Sequence, residues 1–373
     1  MSAIPIARPA AIGIDAAALR RADDLVQRWL TDDHIPAAGW TVGRRGRMIE
    51  PRLVGRQRPA KNAPALRNDA LFLVASITKP VTVTAVMMLL ERGRLALDER
   101  VAVYVPAFAA NGKRDVTIRH LMTHTSGLPD MLPNNTQLRR GHRPFAEFVR
   151  DICALPLLFP AGTRVNYQSM GTAMLAEIVH QIAGMTLADF LAKEVFGPLE
   201  MNDTSLGVQG ARRERVASIR VPAALEKADW NWNSAYWHGF GAPWGGLVTS
   251  PADFARFCQM MLGGGALGKV RILSPASVRA MTSNQFTAMP AVPEEDRRCR
   301  PWGLGWRLNW PGNSGNFGDL LGPRAFGHWG STGTLCWIDP ETEAFFILFT
   351  TQPQEPDGRF LARLSNVVVS SLI

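Results

Sequence analysis

Cysteine is scarce and scattered. Cys153, Cys258, Cys299 and Cys336 form no CxxC pair, which excludes a zinc ribbon and a small disulfide-stapled scaffold and leaves reduced thiols as the simplest state. No apolar stretch approaches the roughly 18 residues that a membrane-spanning helix needs. The first residues, MSAIPIARPAAIGIDAAALRRADD, lack the basic start, continuous apolar run and cleavage site of an export signal. The expectation is therefore a cytoplasmic protein without membrane contact. A glycine-rich phosphate loop is missing, and so is a nucleophile elbow of the Gly-x-Ser-x-Gly type. The chain is also poor in lysine and holds only three tyrosines, so a lysine or tyrosine beside other reactive groups stands out.

What is present fits a folded, enzyme-sized body. The 373 residues, 46% apolar and 20% charged, suffice for a large buried core, arranged as two or three domains or as one large domain with an insertion. Lys and Arg outnumber Asp and Glu by 41 to 32, a formal charge of +9. The excess lies mostly in small arginine groups (Arg44, Arg45 and Arg47; Arg212, Arg213 and Arg215; Arg297, Arg298 and Arg300) separated by ordinary globular sequence. That is the pattern of a solvated surface, not of a phosphate-tracking stripe, and no nucleic-acid partner is expected.

The apolar spacing sets the elements. Asp15 can cap a helix whose apolar positions, Leu19, Ala22, Val26, Trp29 and Leu30, recur every three to four residues and stop before Pro36. Residues 39–42 and 48–54 are extended runs around Arg45-Gly46 and read as a hairpin. After an apolar run at 71–74, Ser76 opens SITKPVTVTAVMMLLERG, a helix apolar on most faces and hence central, closed by Gly93. Pro80 falls in its first turn, where a missing N–H costs little. Helical signals dominate residues 95–225, at 117–124, 144–154, 169–183 and 186–196. Helices opening at Ser250-Pro251 and Ser274-Pro275 follow, then extended runs at 303–308, 335–338 and 344–350 and a closing helix at 359–372. The expected fold class is α/β, one domain assembled from residues 1–94 and 226–373 and interrupted by a mostly helical insertion at 95–225.

Three segments can carry chemistry. In Ser76-Ile77-Thr78-Lys79 the helical spacing puts the Lys79 amine within reach of the Ser76 hydroxyl, near backbone N–H groups that favour developing negative charge. No other lysine has a serine three residues before it, and a lysine opening an apolar helix needs a task, because an unpaired buried ammonium is costly. Asn166-Tyr167-Gln168-Ser169 presents a phenol at a loop-to-helix junction, with Ser169 placed to cap the helix that follows. Gly327-His328-Trp329-Gly330-Ser331-Thr332-Gly333 precedes an extended run, and its glycines permit close backbone approach. His120 and His124 have metal-ligand spacing without the glutamate of the zinc-protease pattern, and neither metal nor cofactor is expected. Trp237, Trp244, Trp302 and Trp306 read as core residues rather than pocket lining.

In this order the three segments resemble the serine β-lactamase and penicillin-binding family. The match is to its class C branch, which includes family VIII carboxylesterases and D-aminopeptidases. The segments ALFLVASITKPVTVTAVMMLLERGRLALDERVAVYVP, IRHLMTHTSGLPD, FGPLEMNDTSLG and WGGLVTSPADFARFCQMML extend the likeness from about residue 15 to the end. The resemblance implies an antiparallel sheet flanked by helices, with the active site between the sheet domain and the helical insertion. It also implies Ser76 as nucleophile, Lys79 and Tyr167 as the proton-handling pair, and the backbone N–H groups of Ser76 and Ser331 as an oxyanion hole. Which of Lys79 and Tyr167 acts as base stays open. Ser169, His328, Trp329 and Gly330 fall at substrate-binding positions. Two departures bear on substrate: the family's usual Tyr-x-Asn is Tyr167-Gln168-Ser169, and its usual Lys-Thr-Gly is His328-Trp329-Gly330. Both weaken recognition of a carboxylated lactam or peptide, so the expectation is a serine hydrolase acting on a small or medium ester. The alternatives are a β-lactam hydrolase, a D-amino acid amidase or peptidase, or an acylated sensor that does not turn over.

Overall fold

The Asp15 carboxylate accepts the N–H groups of Ala17 and Ala18 at 2.7 and 3.2 Å and so caps α1 (Ala16–Thr31) where the apolar spacing begins. The computed structural model describes residues 4–309, 315–353 and 359–373. Behind α1 come β1 (Ala37–Arg44), β2 (Arg47–Met48) and β3 (Arg52–Gly55), the last two both pairing with β1. The far end of the chain supplies β4 (Arg307–Leu308), β5 (Phe326–Gly330), β6 (Thr334–Asp339) and β7 (Ala344–Thr350). Together they make one seven-stranded antiparallel sheet in the order β2-β1-β7-β6-β5-β4, with β3 beside β1. The first and last segments of the chain therefore meet along β1 and β7, from Ala38 opposite Thr350 to Arg44 opposite Ala344.

Alternation along the strands loads both faces of this sheet. Trp40, Val42, Trp337, Phe346 and Leu348 join a cluster with α1 and the closing helix, whereas Cys336, Ile338, Phe345, Ile347 and Phe349 face the main core. The run AFFILFT is apolar at successive positions because β7 is covered on both sides. The main core is built around α2 (Thr78–Glu91), buried from Thr78 to Leu89. Packed on it is α3 (Met170–Ala183), while α4 (Pro251–Leu262), capped by Ser250, lies against β7, and α5 (Arg359–Val369) lies against α1. A mixed α/β architecture with an antiparallel sheet and many helices results.

Two local expectations change. The stretch 303–308 is not one strand: only Arg307–Leu308 joins the sheet. Gly305 has φ +75°, and the chain folds back so that Trp302 pairs with Arg307 and the Gly303 N–H reaches the Trp306 carbonyl at 2.9 Å. A Cβ on Gly305 would come within 2.7 Å of Val83, so the turn needs glycine. Nor does α2 begin at Ser76. A 3-10 turn, Ala75–Ile77, carries the serine, and the α-helix starts at Thr78.

The turn between β5 and β6 clamps that serine-bearing turn. Thr332 and Thr334 donate their hydroxyls to the carbonyls of Leu73 and Val74 at 2.8 and 2.9 Å. A Cβ on Gly330 would lie 2.3 Å from the Val74 carbonyl oxygen. Gly330→Ala should therefore lower unfolding free energy by about 1–3 kcal/mol through backbone displacement, read as a lower urea midpoint. An unchanged midpoint would contradict this close packing.

Candidate active site

Ser76 sits on a turn that is held from several sides. Ala75, just before it, has φ +47°, a left-handed conformation that a residue with a Cβ rarely adopts. Thr78 donates its hydroxyl to the Ala75 carbonyl at 2.6 Å and accepts the Leu247 N–H at 3.0 Å. The turn is thus tied to α2, to the strand at Leu247–Thr249 and to the β5–β6 turn at once.

One helical turn on, Lys79 is 1% exposed. Its amine donates to the Ser76 hydroxyl at 3.0 Å and to the Trp244 carbonyl at 3.1 Å. Burial pushes this amine down to about 7, with the Asp130 carboxylate pulling back in the other direction. The Lys79 nitrogen also lies 4.6 Å from the centre of the Tyr167 ring, so Ser76, Lys79 and Tyr167 converge from two distant segments. Burial pushes the Tyr167 phenol far up; a hydrogen bond with Ser76 opposes this, and the charge of Asp130 adds to it.

Asp130 escaped the sequence reading, although it is the acidic residue closing IRHLMTHTSGLPD. Its carboxylate accepts the Ser169 hydroxyl at 2.7 Å, and its carbonyl accepts the Ser169 N–H at 3.1 Å. Ser169 occupies the cap position of α3 but makes no side-chain cap bond, because its hydroxyl goes to Asp130. Gln168 is fully buried. It accepts a hydrogen bond from Ser126 and donates to the carbonyls of His120 and Leu121 at 3.2 and 3.3 Å, so its amide holds backbone.

A cavity of about 460 Å³ opens over these groups, lined by Ser76, Asp130, Met131, Val165, Tyr167, Ser169, Arg300, Trp302, Arg307, Trp329 and Ser331. Ser331, on the turn after β5, thus shares the cavity with Ser76. Trp329 and Ser169 reach the wall; so does Trp302, contrary to its reading as a core residue, while Trp237, Trp244 and Trp306 stay in the core. His328 and Gly330 are not among the residues that line this cavity. Gly330 is used for its approach to Val74. His328 is 1% exposed, its Nδ1 is 2.7 Å from the Trp329 carbonyl, and its Nε2 has no hydrogen-bond partner among the described residues. Burial, reinforced by Lys79, pushes His328 down to about 3, so the imidazole is neutral with its proton on Nδ1.

The two histidines with metal-ligand spacing serve local structure. His120 Nδ1 accepts the Thr117 N–H in a capping box, and His124 Nδ1 accepts the Gln168 N–H at 3.2 Å while its ring lies 4.7 Å from that of Tyr167. Among the described residues no group of three potential ligands could hold a metal ion. Arg300, read from sequence as part of a solvated arginine group, instead borders the cavity, as does Arg307. The signal available for Arg307 was a lone charge between Trp306 and Leu308.

The family described as Beta-lactamase matches residues 22–369. Penicillin-binding protein 4 of Amycolatopsis lactamdurans is 31% identical over 315 residues, spanning 81% of this chain and 76% of that protein. The crystal structure of a penicillin-binding protein homologue from Caulobacter crescentus has a TM-score of 0.79 at 22% identity, over 96% of this chain and 99% of the other. That of a family VIII carboxylesterase has a TM-score of 0.78 at 23% identity, with coverage of 96% and 99%. These structural likenesses establish a common fold.

The electrostatics of the site make a signed prediction. Asp130 raises the pKa of Lys79, so Asp130→Asn should move the Lys79 titration from about 7 to lower pH, followed by NMR of 13Cε-labelled lysine with Lys79→Arg as the assignment control. A titration that stays in place or moves up would show that Asp130 does not act on this amine.

Proposed function

The chain belongs to the beta-lactamase family, and we propose that it is a serine hydrolase cleaving small or medium carboxylic esters through an acyl-enzyme on Ser76. The observation that carries this reading is the buried Lys79 amine, 3.0 Å from the Ser76 hydroxyl and poised near neutrality. In its neutral form Lys79 takes the serine proton as Ser76 Oγ attacks the ester carbonyl. Burial pushes the phenol of Tyr167 far up, which supports giving the base role to Lys79 and the acid role to Tyr167. As the bond to the alcohol breaks, Tyr167 gives its proton to the leaving oxygen and is reprotonated from Lys79. Water then attacks the acyl carbonyl with Lys79 again as base, and Ser76 leaves with a proton. The N–H groups of Ser76 and Ser331 serve the oxyanion in both halves.

Ester chemistry is favoured over lactam chemistry by what surrounds this pair. The imidazole of His328 is neutral and buried where the family's usual lysine would stand, and the Gln168 amide is committed to the backbone. Val165, Met131, Trp302 and Trp329 offer an acyl chain or alcohol apolar contact. The second reading, β-lactam or D-amino acid amide hydrolysis on the same residues, draws on the Amycolatopsis relative, which is named as a penicillin-binding protein.

With p-nitrophenyl butyrate the enzyme should give a burst of p-nitrophenol and a butyryl mass shift on Ser76. Ser76→Ala should abolish both, and Tyr167→Phe should lose about 100-fold or more in turnover while remaining folded. Since the active form of Lys79 is the deprotonated one, kcat/KM should rise with pH through about 7. Absence of a Ser76 adduct would remove the proposal, and nitrocefin turnover far exceeding ester turnover would put the second reading first.

A further inference from the structure

We infer that a second cavity, on the reverse side of the active-site wall, binds a small phosphate monoester with an apolar body. Binding there requires no turnover at Ser76, so the inference stands apart from the hydrolase reading.

The chain from Arg300 to Asn309 separates the two cavities. Arg300, Trp302 and Arg307 border the one over Ser76, while Pro301, Leu308 and Asn309 border the second, of about 840 Å³. Hydrogen bonds tie its wall together. The Leu308 N–H reaches the Pro301 carbonyl at 3.2 Å, and the Asn309 N–H reaches the Ala325 carbonyl at 2.8 Å. The Asn284 side chain donates to the Arg297 carbonyl at 2.9 Å and so anchors the helix Glu294–Cys299.

Four arginines converge on this cavity from three segments: Arg279 from the helix Pro275–Met281, Arg297 and Arg298 from Glu294–Cys299, and Arg324 from the approach to β5. Glu294 is the one carboxylate among the residues that line it. It lies 3.5 Å from Arg298, and Arg324 is 2.8 Å from Glu341. Arg279 and Arg297 pair with no carboxylate among the described residues, and the half-buried Arg297 keeps its Nε out of solvent without a hydrogen-bond partner. Asn309 is 3% exposed. Its amide nitrogen donates to the Leu321 and Gly322 carbonyls, both at 3.0 Å, and its oxygen has no partner among the described residues. Buried polar atoms without partners are rare, and two in the wall of one cavity point to a solute that completes the set.

Two uncompensated guanidiniums call for a dianion, and their N–H groups suit phosphate oxygens. A phosphate monoester carries nearly two charges at pH 7, whereas a carboxylate or a phosphodiester carries one. The diester linkages of nucleic acids and phospholipids are thereby disfavoured. Pro301, Leu308, Pro323, Ala325 and Pro340 supply apolar lining for the rest of the molecule. The arginine group at 297–300 is thus divided, with Arg300 on the side of Ser76 and Arg297 and Arg298 on the reverse side.

Calorimetry with 1-naphthyl phosphate, methyl phosphate and diphenyl phosphate tests this. 1-Naphthyl phosphate should bind about tenfold or more tighter than methyl phosphate, which lacks the apolar body, and than diphenyl phosphate, which is apolar but singly charged. Arg279→Gln and Arg297→Gln should each weaken it about tenfold, whereas Arg307→Gln, on the other side of the wall, should leave it unchanged. On the unmodified protein the affinity should fall as pH drops through about 6, where the phosphate loses its second charge; this readout holds even if a variant does not fold. No binding of 1-naphthyl phosphate, equal affinity for the singly and doubly charged probes, or binding that survives both Arg279→Gln and Arg297→Gln would overturn the site. Binding that is lost with Arg307→Gln would put the ligand over Ser76 and overturn it as well.

Discussion

Withdrawing a lysine amine from water beside a serine is the constraint on which the rest of the structure depends. An ammonium buried without a paired anion costs several kcal/mol, so the site relaxes by letting Lys79 approach neutrality, with the Ser76 hydroxyl and the Trp244 carbonyl as its partners. A neutral amine has a lone pair, and a lone pair next to a hydroxyl is a base. The apolar character of α2 follows from the same need. A helix with a polar side could not lie at the centre of the core and seal its first turn from solvent.

The seal is assembled from segments far apart in the chain. Thr82 donates to the Pro243 carbonyl at 2.7 Å, which fixes the loop that brings the Trp244 carbonyl to Lys79. Gln168 ties the Tyr167 junction to the backbone at His120 and Leu121, and the two threonines after β5 hold the strand end ahead of Ser76. Each tie is a buried or part-buried hydrogen bond between distant parts of the sequence, so rigidity at the serine comes from tertiary structure and not from helix propensity. The left-handed Ala75 is tolerated because these ties surround it.

What could be read in the sequence is what is decided locally. Asp15, Ser250 and Ser274 cap helices where their spacing says they should, and AFFILFT is a strand buried on both faces. Ser76 and Lys79 were legible because one helical turn relates them, whereas Tyr167 was singled out by its scarcity and placed with them only by the family resemblance. Roles that arise from convergence were not legible. Nothing within IRHLMTHTSGLPD says that Asp130 will meet Ser169, and nothing near Arg307 says that a glycine turn will set it against two indoles. The same limit applies at the third segment. Gly330 and His328 occupy positions associated with substrate, but the first is taken up by contact with Val74 and the second is sealed behind the wall.

The role of the buried amine beside Ser76 is tested most directly by a crystal structure of the protein after reaction with a p-nitrophenyl alkylphosphonate, which mimics the tetrahedral intermediate. Phosphorus should be bonded to Ser76 Oγ, with the phosphoryl oxygen held by the N–H groups of Ser76 and Ser331 and the Lys79 amine still within hydrogen-bond distance of Oγ. A phosphonate on another residue, or one whose oxygen turns to solvent with Lys79 withdrawn, would contradict it.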